Sequence, residues 1–94
     1  MKITGLVWLE QVVEKLRVRH HVTPHEVEEA LANSPLFRFL EKGLRPGENV
    51  YAALGGTDAG RPLFVVFIYT KKKKALILSA RNMTRAERRL HENA

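Results

Sequence analysis

The sequence predicts an α+β fold: an antiparallel four-stranded sheet with two N-terminal helices and a C-terminal helix. Three observations carry this expectation. Helical periodicity is confined to residues 9–32 and to the stretch after residue 83. The extended segments lie together between these helical stretches, which segregates strands from helices. The links between successive later strands are too short for anything but antiparallel hairpins.

Lys2 to Trp8 is a short strand or a lead-in. From Leu9 the apolar residues Leu9, Val12, Val13 and Leu16 recur at i, i+3, i+4 and i+7, the spacing of one helix face, and this helix ends near His20. Thr23 opens a second helix. Its hydroxyl can cap, Pro24 suits the first helical position, and Glu26 lies three residues on to close a capping box. Val27, Ala30 and Leu31 form the apolar stripe, and Asn33, Ser34 and Pro35 end it.

Leu36, Arg38 and Leu40 alternate with Phe37 and Phe39, as in a strand. Gly43 to Asn49 carries Pro46-Gly47 and reads as a turn. Val50 to Leu54 is a strand, and Gly55 to Pro62 a hairpin loop in which Gly55, Gly56 and Gly60 are turn residues. Leu63 to Tyr69 is apolar on both faces, so a central position is expected. Lys71 to Lys74 then turn the chain into Ala75–Arg81. Thr84 and Glu87 repeat the capping-box spacing and open a last helix to about Glu92, with Met83, Ala86 and Leu90 as its core side.

Charge is distributed unevenly. The net charge is +6, yet residues 1–34 hold four Lys/Arg against five Asp/Glu, and residues 35–60 hold three of each. Residues 61–94 hold nine Lys/Arg against two Asp/Glu. A local excess of this kind attracts polyanions, with RNA or DNA phosphate as the obvious class. The chain of 94 residues is expected to be a single domain spanning 1–94. It has no cysteine, which excludes disulfides and thiolate metal sites. No signal peptide is evident, and the longest apolar run, Leu63 to Tyr69, is too short to span a bilayer. A cytoplasmic protein without membrane contact is expected.

The segment Ile77-Leu78-Ser79-Ala80-Arg81-Asn82-Met83-Thr84-Arg85-Ala86-Glu87-Arg88-Arg89-Leu90-His91-Glu92 closely resembles the end of BrnT-type toxins. Leu16 to Thr23, Glu48 to Gly55, and Gly60 to Phe67 with its glycine–arginine turn are similar to that family more loosely. The resemblance implies a RelE-like fold and a metal-independent ribonuclease toxin. It also implies two partners: RNA, and a cognate antitoxin, expected to be a small DNA-binding protein. Two positions depart from the family pattern. His91 stands where the family has tyrosine, and His21 where it has glycine.

A metal-free ribonuclease needs a base for the ribose 2′-OH, a cation for the phosphorane-like transition state and an acid for the leaving 5′-oxygen. Arg81, Glu87 and His91 are the candidates. Arg81 can hold phosphate bidentately. Glu87 and His91 share a helix face, as proton acceptor and donor. Structural alternatives stand beside each: Glu87 as a helix cap, Arg81 as an ion-pair partner, His91 as an inert terminal residue.

Lys71, Lys72, Lys73, Lys74, Arg85, Arg88 and Arg89 are candidate nucleic-acid contacts, or else a solvated surface. His20 matches the family histidine and is a possible additional site residue. His20, His21 and His25 lack the carboxylate or cysteine that would complete a metal site, so no metal or other cofactor is expected. The rival reading is a catalytically degenerate RelE-like module that binds nucleic acid or protein.

Overall fold

In the computed structural model, which describes residues 1–94, the α+β class holds but the sheet is larger than expected. It has five strands and is mixed. The elements are β1 (Gly5–Val7), α1 (Glu10–Lys15) with a π-helical turn at Leu16–His20, α2 (Pro24–Ala32), β2 (Leu36–Glu41), β3 (Val50–Gly56), β4 (Pro62–Tyr69), β5 (Lys74–Asn82) and α3 (Arg85–Glu92). The spatial order is β1-β5-β4-β3-β2. The four later strands pair antiparallel, as their hairpin links require. β1 adds a fifth strand, parallel to the start of β5, with Leu6 opposite Ala75.

β4 is central, and this explains its two apolar faces. Leu63, Val65 and Phe67 point into the main core, with Val12, Leu16, Val22, Val27 and Ala30 of the helical layer above them. Leu9 and Val13 contribute less than their spacing predicts: Leu9 is exposed and Val13 half-buried. On the opposite face Ala52, Leu54 and Met83 form a smaller cluster with Leu36 and Phe64. Only that end of the second face is covered.

Both capping boxes form. Thr23 Oγ1 accepts from the Glu26 N–H, and Glu26 Oε1 from the Thr23 N–H. The Thr84–Glu87 pair repeats this arrangement at α3. The first helix ends with His21 in the left-handed conformation at φ 53°. That is the backbone state a glycine adopts most freely.

Three sequence expectations need correction. Gly55 and Gly56 are strand residues, and only Gly60 lies in the turn, at φ 88°. Gly55 is required by contact instead, since a Cβ there would lie 2.3 Å from the Ala30 carbonyl oxygen. Lys74 belongs to β5 rather than to the turn. Ala86 and Leu90 are exposed, and of the expected α3 core only Met83 is buried. A β-bulge interrupts β5, where Ser79 pairs with Val66 but Ile77 with Phe67, leaving Leu78 unpaired. The Lys15 ammonium donates to the Leu78 carbonyl at 3.1 Å.

Candidate active site at the end of the fifth strand

Arg81 lies near the end of β5, opposite Phe64 of β4, on the sheet face that α3 approaches. Its guanidinium carbon sits 4.4 Å above the Phe64 ring. Nη1 donates to Glu87 Oε1 at 2.7 Å and to the Asn82 carbonyl at 3.0 Å. Nη2 donates to Glu87 Oε2 at 3.0 Å. The carboxylate therefore takes the end-on fork of the guanidinium. The side-on fork, made of Nε–H and the remaining Nη2–H, has no protein partner.

Glu87 holds several contacts at once. Oε1 accepts from the Thr84 N–H at 2.8 Å as well as from Arg81. The hydrogen bonds from Arg81 hold its carboxyl below the usual carboxylate range; partial burial pushes it up, and the Thr84 N–H and the arginine charge add to the lowering. The same contacts raise the Arg81 guanidinium above its ordinary value, with the Glu87 hydrogen bond first among the causes. A carboxylate held ionised is a weaker base, so this geometry suits Glu87 to orienting the arginine.

His91 is one helical turn beyond Glu87 but hydrogen-bonds to neither Glu87 nor Arg81. It lines a polar cleft of about 270 Å³ with Arg88, Glu92, Gly56, Gly60 and Pro62, beside the β3–β4 turn. Arg85, Arg88 and Arg89 are exposed on α3. The lysine turn lies elsewhere. Lys71, Lys72 and Lys73 are exposed at the opposite end of the β4–β5 hairpin, and Lys74 is half-buried beside Gly5. Six residues of β5, one of them the bulge residue, separate Lys74 from Arg81, roughly 20 Å at the ordinary strand rise. The basic third of the chain thus folds into two patches.

His20 enters through its backbone: its carbonyl accepts from Arg61 Nη2 at 2.9 Å. Neither periodicity nor spacing singles out Arg61. It donates to the His21 carbonyl at 2.7 Å, to both Glu26 oxygens at 3.2 and 3.1 Å, and to Asn82 Oδ1 at 2.7 Å. One guanidinium thereby gathers the carbonyl end of the first helix, the cap of α2 and the end of β5, where a cation is also favoured by the helix dipole. The available signal was the arginine after the glycine turn, together with a second capping glutamate needing a partner. Glu26 is held below the usual range; burial opposes this, but the Thr23 N–H and Arg61 together outweigh it.

His25 pairs with Glu29 at 3.0 Å on the surface of α2. No group of three or more His, Cys, Asp or Glu side chains is placed to hold a metal ion. No helix is long and apolar enough to cross a membrane.

A search of curated proteins finds no match to this chain. A family model described as "Ribonuclease toxin, BrnT, of type II toxin-antitoxin system" matches residues 8–87, which includes Arg81 and Glu87. The chain belongs to this family of BrnT ribonuclease toxins.

Proposed function

We propose that the protein is the toxin of a toxin–antitoxin pair and cleaves RNA without a metal ion, with Arg81 as its phosphate clamp. The observation that carries this reading is the free side-on fork of Arg81. Glu87 and the Asn82 carbonyl hold the guanidinium from one side, and Phe64 supports its face. Two parallel N–H donors remain for a phosphate, and a planar fork already fixed in place loses little freedom on binding. In the pentacoordinate transition state the phosphoryl oxygens gain charge, so a preset cation stabilises that state more than the ground state.

Glu87 serves as the orienter of Arg81, and the 2′-OH proton passes to solvent water as the oxygen attacks phosphorus. His91 is the proton donor to the 5′-oxygen, reached from the cleft beside the β3–β4 turn. Arg88 lines the same cleft and, with Arg85 and Arg89, guides the RNA strand.

Purified protein incubated with single-stranded RNA in EDTA tests the reading. Cleavage is expected. Activity that vanishes in EDTA and returns with a divalent cation rejects the metal-free route. RNA binding with no cleavage under any condition favours the binding module, a rival supported by His91 making no hydrogen bond to Arg81 or Glu87.

A further inference from the structure

We propose that the bare part of the sheet, beside the Gly43–Asn49 loop, is the seat of an acidic, aliphatic segment of the antitoxin. The proposal rests on the toxin–antitoxin reading and adds to it the surface and the chemistry of the occupant. The helical layer covers one face of the sheet, while α3 and Met83 cover only one end of the other. Beyond them a cleft of about 430 Å³ remains, with Ile68 and Leu76 as its floor and Leu44 and Arg45 on its wall. Leu44 is fully exposed, and Val7 is also exposed on β1, opposite Leu76. Contiguous aliphatic surface of this kind marks an interaction site.

The chemistry favours a peptide over RNA. Single-stranded RNA binds on aromatic platforms. Phe64 is the one ring on this face, and Arg81 covers it. Phe37, Phe39, Tyr51, Phe67 and Tyr69 interlock on the other face, and Trp8 packs into that core. The cleft offers aliphatic side chains with Arg45 on its wall, while Lys74 at the start of β5 and Arg38 of β2 lie on the same sheet face outside its lining. Glu48 is the one acid in the lining, and its carboxylate is engaged by the Lys71 N–H. Apolar anchors flanked by carboxylates complement this surface.

The position also explains inhibition. Leu76 and Arg81 lie opposite Ile68 and Phe64, four residues apart on β4, roughly 13 Å at strand rise. A helical segment of about three turns spans that distance. Seated in the cleft, it brings a carboxylate to the free fork of Arg81, in direct competition with phosphate.

The test uses the full chain and the protein encoded by the reading frame adjoining its gene. Leu44→Glu changes an exposed side chain and is expected to weaken that complex by at least about 30-fold, the scale of an interface anchor. RNA cleavage by the free protein is expected to stay unchanged. Val18→Glu, the same added charge at an exposed site on the helical layer, is expected to alter neither. Arg45→Glu is expected to weaken the complex at low salt, and tighter binding there overturns the acidic occupant. Unchanged affinity in Leu44→Glu overturns the docking site and leaves the toxin reading standing. Lost RNA cleavage in Leu44→Glu with affinity intact makes the cleft an RNA surface and overturns the proposal. Failure of the adjoining protein to bind the wild type overturns the toxin–antitoxin reading and the docking site together.

Discussion

Arg61 and Asn82 are joined across the β4–β5 hairpin, Nε donating to Oδ1 at 2.7 Å. The carbonyl of Asn82 accepts from Arg81 at 3.0 Å. One residue therefore ties together two Arg–Glu–Thr units, Arg61–Glu26–Thr23 and Arg81–Glu87–Thr84, that cap two helices. Asn82→Ala removes one hydrogen bond and is expected to cost about 1 kcal/mol. For a chain of this size that lowers Tm by roughly 4–8 °C. Arg61→Lys keeps the charge but cannot reach all four acceptor residues, so it is expected to cost more, about 2–3 kcal/mol. Thermal unfolding followed by circular dichroism measures both. A larger loss in Asn82→Ala than in Arg61→Lys would contradict this ranking.

For catalysis, the geometry separates Glu87 from Arg81. Glu87→Gln still completes the capping box and still holds Arg81 on one side, so RNA cleavage is expected to fall less than about tenfold. Arg81→Lys loses the planar fork and is expected to lose about 100-fold or more. A loss above about 100-fold in Glu87→Gln at unchanged Tm would instead make Glu87 the base. His91→Tyr is expected to preserve or raise cleavage, and equal rates for His91→Ala and wild type would remove His91 from the mechanism.

Acid sensitivity follows from the two capping glutamates. Both have folded-state values below the ordinary one. Groups shifted in this direction contribute stability that is complete above the ordinary glutamate value of about 4.3 and is lost as pH falls through the lower folded value. The urea midpoint is expected to drop on acidification below about pH 4.3. In the Glu26→Gln, Glu87→Gln double variant the drop should be shallower, and parallel curves for the two proteins would show that these carboxylates do not carry the effect.

At His21 the chain holds a histidine at φ 53°. His21→Gly relieves that backbone restriction and leaves the carbonyl that Arg61 binds. It is expected to raise stability by about 0.5–1 kcal/mol despite the added freedom of the unfolded chain. A lowered Tm would mean that the imidazole has a packing role.

The two basic patches are expected to differ in salt response. Each phosphate contact to a single strand contributes about 0.7 to the slope of log affinity against log salt. Changing Arg85 and Arg88 to Ser is expected to flatten the slope for RNA by about 1.4 in total. Changing Lys71 to Lys74 together to Ser is expected to leave it unchanged, and a flatter slope there would place RNA at both ends of the sheet.

The helix starts were legible because Thr23–Glu26 and Thr84–Glu87 encode their own hydrogen bonds locally. The antiparallel strands were legible from their alternation and short links, and β4 from its two apolar faces. β1 was legible only as one of two readings of Lys2 to Trp8, a short strand or a lead-in, and its parallel pairing with residues 74–76 was announced by no turn or local period. Leu90 was misread because a helix stripe shows which residues share a side but not whether anything covers them. In the candidate site, Arg81 and Glu87 stood out by residue type and family resemblance, and an ion pair for Arg81 was one of the readings, but Glu87 as its partner was not named. Arg61 escaped notice because its partners come from residues 20–26 and 82, distant in the chain.

The bulge at Leu78 determines on which side of the sheet Arg81 works. Ile77 faces the helix-covered core, and uninterrupted alternation would send residues 79 and 81 the same way. The extra residue reverses the phase, so Ala80 enters the core and Arg81 emerges opposite Phe64 on the uncovered side. With Leu78 kept and the bulge ironed out, Arg81 would turn inward toward the helix-covered core, whereas deleting Leu78 would let Ile77 and Ser79 alternate regularly and leave Arg81 on the uncovered side. The face that Arg81 reaches thus depends on the parity of one strand, and the Lys15 ammonium donates to the carbonyl of the residue that sets it.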